Sequence, residues 1–258
     1  MSDYDQFASI YDIWCETAAI TKEHAPFYAA RYVGCEEEGP VVELGVGNGR
    51  IIIEAARRGR AMVGVDSSKA MLALCRSRAE AAGVADAVTL VEGDFRDFVL
   101  DAPAALIAIP FHTLLHLITL DDKRAGLRHI RSQLREGGQL VFDCFVFDPE
   151  LARKNAAPQL RAEYQDEQGR DALLWTISKI DESAQTMRLV VWTDTLSDDG
   201  VVVERRYRRL DFSWIDPAQV RALLEESGYV VEACLGDFDG SPFEAGVSVK
   251  HIWVARRA

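Results

Sequence analysis

Short apolar runs alternate with longer amphipathic stretches through the first half of the chain, and that alternation predicts the architecture. Residues 41–44, 61–66, 88–91, 104–109 and 140–146 read as strands. The run 104–109 is apolar throughout, as expected of a strand buried on both faces. Between these runs the apolar positions recur at helical spacing. One helix opens with Ile51-Ile52-Ile53 and continues to about Arg58. The next carries Met71, Leu72 and Leu74 behind a capping Ser67 or Ser68, and a third runs from about Asp121 to Leu134 and stops at Gly137-Gly138. Strands alternating with helices predict an α/β fold with a Rossmann-like, doubly wound, mostly parallel sheet. In such sheets ligands sit at the carboxyl ends of the strands.

The pattern changes after about residue 150. Runs at 176–178, 187–192 and 201–207 are rich in β-formers and separated by polar turns, which predicts an antiparallel β insertion. Asp216-Pro217 opens a further helix that ends at Gly228. Residues 229–234 and 249–255 then form two strands, giving the sheet an antiparallel C-terminal strand. At the opposite end Phe7, Ile10, Tyr11 and Trp14 fall at helical spacing. The expected organisation is a single domain over 1–258. It comprises lid helices at 1–36, a cofactor-binding core at 37–150, the insertion at 154–213 as substrate cover or dimer contact, and a closing helix and strand pair at 214–258.

The chemistry is concentrated where the first strand ends. Glu43-Leu44-Gly45-Val46-Gly47-Asn48-Gly49-Arg50 places three glycines at alternate positions between a strand and a helix. Glycine permits positive φ and lets a ligand approach the bare backbone, so the turn suits a cofactor. A dinucleotide fingerprint wants Gly or Ala where Arg50 stands, and a P-loop wants Gly-Lys-Ser/Thr, which is absent. Asp66 ends the second strand roughly 20 residues on, where a carboxylate accepts ribose hydroxyls. Gly93-Asp94-Phe95 follows the third strand and offers an acceptor and a ring to an adenine.

Composition narrows the partners. The 258 residues carry a net charge of −12, which disfavours a nucleic-acid backbone as partner. No apolar run is long enough to span a bilayer, so no membrane partner is expected. Five cysteines are scattered without metal-ligand spacing, so no metal site is expected and a reducing, cytoplasmic location is.

The E-x-G-x-G-x-G pattern resembles motif I of class I S-adenosylmethionine (SAM)-dependent methyltransferases, and the likeness covers about 41–146 together with the reversed C-terminal strand pair. It implies that Tyr11, Glu43, Gly45, Gly47, Gly49, Arg50, Asp66, Ser67, Met71, Gly93, Asp94, Phe95 and Ile109 surround SAM, with S-adenosylhomocysteine as product. Glu43 either meets the ammonium of the methionine tail through water or braces the loop by accepting backbone N–H bonds. The opening Tyr4-Asp5-Gln6-Phe7-Ala8-Ser9-Ile10-Tyr11-Asp12 is similar to the lid of the small-molecule branch, which includes bacterial enzymes that methylate amino sugars and other metabolites.

After the fourth strand the chain reads Ile109-Pro110-Phe111-His112, where N6-adenine and glutamine methyltransferases carry Asn/Asp-Pro-Pro-Tyr/Phe. DNA and protein-amide chemistry are disfavoured accordingly, as is aminopropyl transfer, which wants acidic residues there. His112 and His116 are the candidate proton acceptors. Trp14, Phe111, His112, Phe145 and Arg206 are the candidate substrate contacts. The reading is therefore methyl transfer to a nitrogen or oxygen of a small-molecule acceptor, with a homodimer as a further expectation. A non-catalytic SAM-binding regulator or scaffold is the alternative.

Overall fold

The computed structural model describes residues 3–17 and 20–258. Its centre is a seven-stranded sheet in the order β10-β11-β5-β4-β1-β2-β3. Strands β1 (Val41–Leu44), β2 (Met62–Asp66), β3 (Val88–Glu92), β4 (Ala104–Ile109) and β5 (Leu134–Phe145) pair in parallel. Strand β11 (Lys250–Arg257) runs antiparallel to both β5 and β10 (Tyr229–Leu235). The order reverses between β1 and β4, which puts the topological switch point over the glycine turn.

Alternation along the strands builds two cores. Leu106 and Ala108 pack with Tyr28 and Tyr32 of α2 (Ile20–Val33), with α3 (Arg50–Arg57) and with α4 (Lys69–Ala81). Ile107 and Ile109 face α5 (Leu120–Gln133) and α7 (Pro217–Glu226) on the other side. Ser68 caps α4, accepting from Met71 N at 3.2 Å.

Two local expectations are corrected. The Gly137-Gly138 pair does not stop α5. The helix ends at Gln133, and β5 runs on through the pair, where Gly137 takes φ +70° and the register against β4 shifts. Glycine here serves a bulge. The first lid helix is also shorter than its apolar spacing suggests. Two 3₁₀ turns, Asp3–Gln6 and Ala8–Ile10, precede α1 (Tyr11–Glu16). Phe7 lies between the turns, fully buried against the insertion.

The insertion is a separate four-stranded antiparallel sheet, β6 (Gln159–Gln165), β7 (Asp171–Asp181), β8 (Thr186–Leu196) and β9 (Val202–Ser213). It follows the short helix α6 (Pro149–Asn155). Leu174, Leu189, Val191 and Leu210 on its inner face pack against Phe7, Ile10 and Tyr11 of the lid. The lid is thus held between the insertion and the carboxyl edge of the main sheet.

Candidate active site

The glycine turn after β1 and the acid ending β2 meet at that edge. Gly47 N–H donates to Asp66 Oδ2 at 2.8 Å, and Ser68 N–H donates to Oδ1 at 2.8 Å. A carboxylate offers about four acceptor directions, so these bonds leave capacity for a ligand. Burial raises the Asp66 pKa, while the backbone N–H donors pull it back. The turn itself is closed by Val65, whose carbonyl accepts from Gly45 N at 2.8 Å and Val46 N at 3.0 Å.

A cavity of about 450 Å³ opens beside Asp66. That is within the size range of small-molecule sites. Its wall combines Gly45, Gly47, Asp66 and Ser67 with Gly93, Asp94, Phe95 and Arg96 after β3. Phe111, Thr113 and His116 after β4 continue the wall, and Tyr4, Tyr11 and Leu210 come from the lid and insertion. The lid is anchored at both ends of this wall. Asp5 accepts from Ser68 Oγ at 2.6 Å, and Asp12 accepts from Asn48 Nδ2 at 2.8 Å.

Each acid near the cavity has a distinct state. Asp94 is gripped by Arg96, with Nε to Oδ1 at 2.7 Å and Nη2 to Oδ2 at 3.0 Å, and this holds its pKa below the usual range. Glu43 is buried, accepts the Tyr32 hydroxyl at 2.9 Å, and is pushed by burial up to about 8. Among the described residues it accepts no backbone N–H of the loop; Asp66 and the Val65 carbonyl do that bracing. Glu43 instead borders a small adjoining space of about 20 Å³ with His24, Asn48 and Arg50. That is room for one water. Arg50 reaches His24 Nε2 at 3.1 Å.

The segment after β4 is strained and clamped. Phe111 and His112 both take left-handed backbone, φ +61° and +58°. Such conformations cost energy for residues with a Cβ and persist only where the surroundings impose them. Buried Asp143 on β5 supplies the clamp, accepting Phe111 N–H and His112 N–H at 3.0 Å each and the Tyr28 hydroxyl at 2.6 Å. Its Oδ2 also lies 2.8 Å from His112 Nδ1. Burial alone would raise the Asp143 pKa, but His112 and Tyr28 outweigh it and the net direction is down.

The two histidines therefore have different situations. His112 is turned onto Asp143 and sits beside Phe111 and the edge of Phe145, outside the wall of the large cavity. His116 lines that cavity and is hydrogen-bonded to the Tyr4 hydroxyl through Nε2 at 2.9 Å. Burial drives its pKa down to about 4, so the ring is neutral at pH 7.

Other expected site residues are placed differently from the expectation. Met71 and Ile109 are fully buried in the core and do not line the cavity, because helix and strand periodicity turn them inward. Gly49 is a packing glycine: a Cβ there would lie 2.5 Å from Cys75 Sγ. Trp14 packs edge-on against Phe7, and Phe145 packs against His112. Arg206 is exposed and paired with Glu204 at 2.6 Å. Tyr4, Arg96, Thr113 and Asp143 were not singled out in the sequence as site residues. Asp143 had a visible signal, an acid inside the apolar run Leu140-Val141-Phe142-Asp143-Cys144-Phe145.

The family described as a methyltransferase domain matches residues 41–138, which span β1 into β5 and include the glycine turn, Asp66 and Asp94. This chain is a methyltransferase. It is 24% identical to the cypemycin N-terminal methyltransferase of a Streptomyces species over 205 residues, 80% of this chain and 78% of that protein. The CcbJ methyltransferase of Streptomyces caelestis aligns over 100% of this chain and 98% of its own, with a TM-score of 0.78 and 28% identity. The glycopeptide N-methyltransferase MtfA, solved with SAM, aligns over 91% of this chain and 86% of its own, with a TM-score of 0.57 and 25% identity. Several Bacillus methyltransferases match over a shorter span, 47% of one and 66% of another. The methyltransferase has the class I fold and its cofactor is SAM. The residues present suit that cofactor: a carboxylate with acceptor capacity left faces a cavity beside bare glycine backbone.

Proposed function

We propose that this methyltransferase transfers the methyl group of SAM to a nitrogen of a small-molecule acceptor, inside the cavity covered by the N-terminal lid. The observation that carries the reading is one cavity bordered both by Asp66 with the Gly45 and Gly47 backbone and by the Tyr4–His116 hydrogen bond. In this reading Asp66 accepts the ribose hydroxyls and Asp94 and Phe95 meet the adenine. Tyr11, Gly45 and Gly47 border the methionine part. Glu43 meets its ammonium through the water-sized space it shares with Arg50.

Bound SAM supplies a methyl group on a cationic sulfur, open to in-line displacement. What the chain adds is alignment, since holding a nucleophile in attacking geometry removes much of the entropic barrier. In this reading Tyr4, Phe111 and His116, which line the cavity, hold the acceptor. With a pKa of about 4, His116 is a poor store for a proton at pH 7. This suits a nucleophile that arrives neutral, as an amine does, better than a hydroxyl that must be deprotonated. The name of the glycopeptide N-methyltransferase supports nitrogen.

A cytosolic setting and a homodimer complete the reading. All five cysteines are free thiols, and Trp175 and Trp192 stack 5.9 Å apart beside exposed Tyr207 on the outer face of the insertion, a surface suited to a second copy. The test is mass spectrometry on a panel of amino sugars, small amines and matched hydroxy analogues incubated with SAM. Methylation of the amines alone is expected. Methylation confined to hydroxyl analogues would overturn the choice of nitrogen.

A further inference from the structure

A second cavity, about 160 Å³, lies where the lid meets the insertion. Ile10 and Ile13 border it on the lid side, and Tyr164, Thr193, Thr195 and Arg208 on the sheet side. Arg208 is 5% exposed. Its Nε donates to Gln6 O at 2.7 Å and its Nη1 to Thr193 Oγ1 at 3.1 Å, with a longer contact to Arg206 O at 3.5 Å. Among the described residues, nothing accepts from Nη2 and no carboxylate pairs with the guanidinium.

The neighbouring arginines are different. Arg206 pairs with Glu204 at 2.6 Å, Arg170 with Asp166 at 2.8 Å and Arg205 with Asp194 at 2.5 Å. Asp166 and Glu204 at the cavity rim are therefore already matched by cations, and Glu167 is exposed. A buried charge without a counter-ion is costly, and burial pulls the Arg208 pKa down, yet an arginine stays protonated. The surrounding hydroxyls add donors. Tyr164 and Thr195 make no side-chain hydrogen bond among the described residues, and Thr193 accepts from Arg208, which leaves its own O–H to donate.

We propose that this cavity binds a small oxyanion, a phosphate or carboxylate group, with Arg208 Nη2 as the charged donor and the Tyr164 and Thr195 hydroxyls as neutral ones. Charge-assisted bonds of this kind are the strong class. The anion is either a free metabolite or a group on the methyl acceptor. Because the same guanidinium holds Gln6, an anion here also fastens the lid segment that carries Tyr4.

Titration of the full chain with inorganic phosphate, by calorimetry in low-chloride buffer, tests the site without any turnover. Saturable binding is expected, weakened at least tenfold by Arg208→Gln. Tyr164→Phe, which leaves the Arg208–Gln6 bond in place, should weaken it several-fold, and Arg188→Gln, on β8 outside this cavity, should leave it unchanged. No saturable binding, or equal binding by an Arg208→Gln protein that unfolds like the parent, would overturn the proposal. Methyl transfer to an amino sugar and to its phosphate ester then separates the sources. A preference for the ester that Arg208→Gln abolishes assigns the anion to the acceptor; phosphate binding without such a preference assigns it to a free anion.

Discussion

Asp143 holds His112 twice through one oxygen: Oδ2 accepts the His112 backbone N–H at 3.0 Å and lies 2.8 Å from the ring Nδ1. The other oxygen takes Phe111 N–H and the Tyr28 hydroxyl. Replacing Asp143 by Ala strands these donors in the interior, at about 1–3 kcal/mol each. A loss of at least about 3 kcal/mol in urea unfolding is expected, and catalysis should fall because Phe111 leaves its place in the cavity wall. The pH dependence has a definite sign. The folded-state pKa of Asp143 is depressed, so its contribution is complete above the ordinary Asp range and is lost as pH falls below it. Asp143→Asn should therefore flatten the acid limb of the stability curve.

Gly45 and Thr113 are in contact across the cavity wall. A Cβ on Gly45 would overlap Thr113 Cγ2, and Gly45 takes φ +69°. Gly45→Ala should destabilise the fold by about 2–4 kcal/mol through overlap and backbone strain together. Thr113→Ser removes Cγ2 and should recover the overlap part while leaving the strain. Thermal unfolding of the four proteins in this cycle measures the coupling. Equal damage from Gly45→Ala in both backgrounds would count against the contact.

Burial lifts Glu43 from the ordinary 4.5 to about 8, although Tyr32 and Arg50 pull it back. Between those two values the folded chain holds a proton that the unfolded chain has released. Stability attributable to Glu43 therefore falls as pH rises through that window and levels off above it. Glu43→Gln should remove this slope in unfolding measured from pH 5 to 9 (about the range of the window). An ammonium placed beside Glu43 favours its ionised form, so SAM binding at pH 7 should release a proton. Calorimetry in two buffers of different ionisation enthalpy reads that release, which should vanish in Glu43→Gln.

The sequence made the sheet legible because periodicity reports burial, and burial is what strands and helices share across a fold. The same periodicity could not separate Gly45, where the backbone borders a cavity, from Gly49, where a helix packs onto Cys75. Both are glycines at positive φ, and only the neighbour tells them apart. Met71 and Ile109 were expected against the cofactor and lie in the core because sequence distance from a motif does not give direction. Asp143 was visible as an acid among apolar residues, but its partners come from α2 and from the segment after β4, and such long-range pairing is not written locally. Arg206 was expected to meet the substrate and is exposed on Glu204; Arg208, two residues on along the same strand face, is the enclosed cation, because the lid covers that part of the face through Gln6.

The central claim is that Asp66 and the glycine turn hold SAM in the lid-covered cavity. Calorimetric titration of SAM and S-adenosylhomocysteine into the parent and Asp66→Ala proteins tests it most directly. The parent is expected to bind both ligands. Asp66→Ala, confirmed folded by thermal unfolding, is expected to lose about 1.5–3 kcal/mol, roughly tenfold to a hundredfold in Kd. Failure of the folded parent to bind either ligand, or equal affinity in the two proteins, would contradict the account.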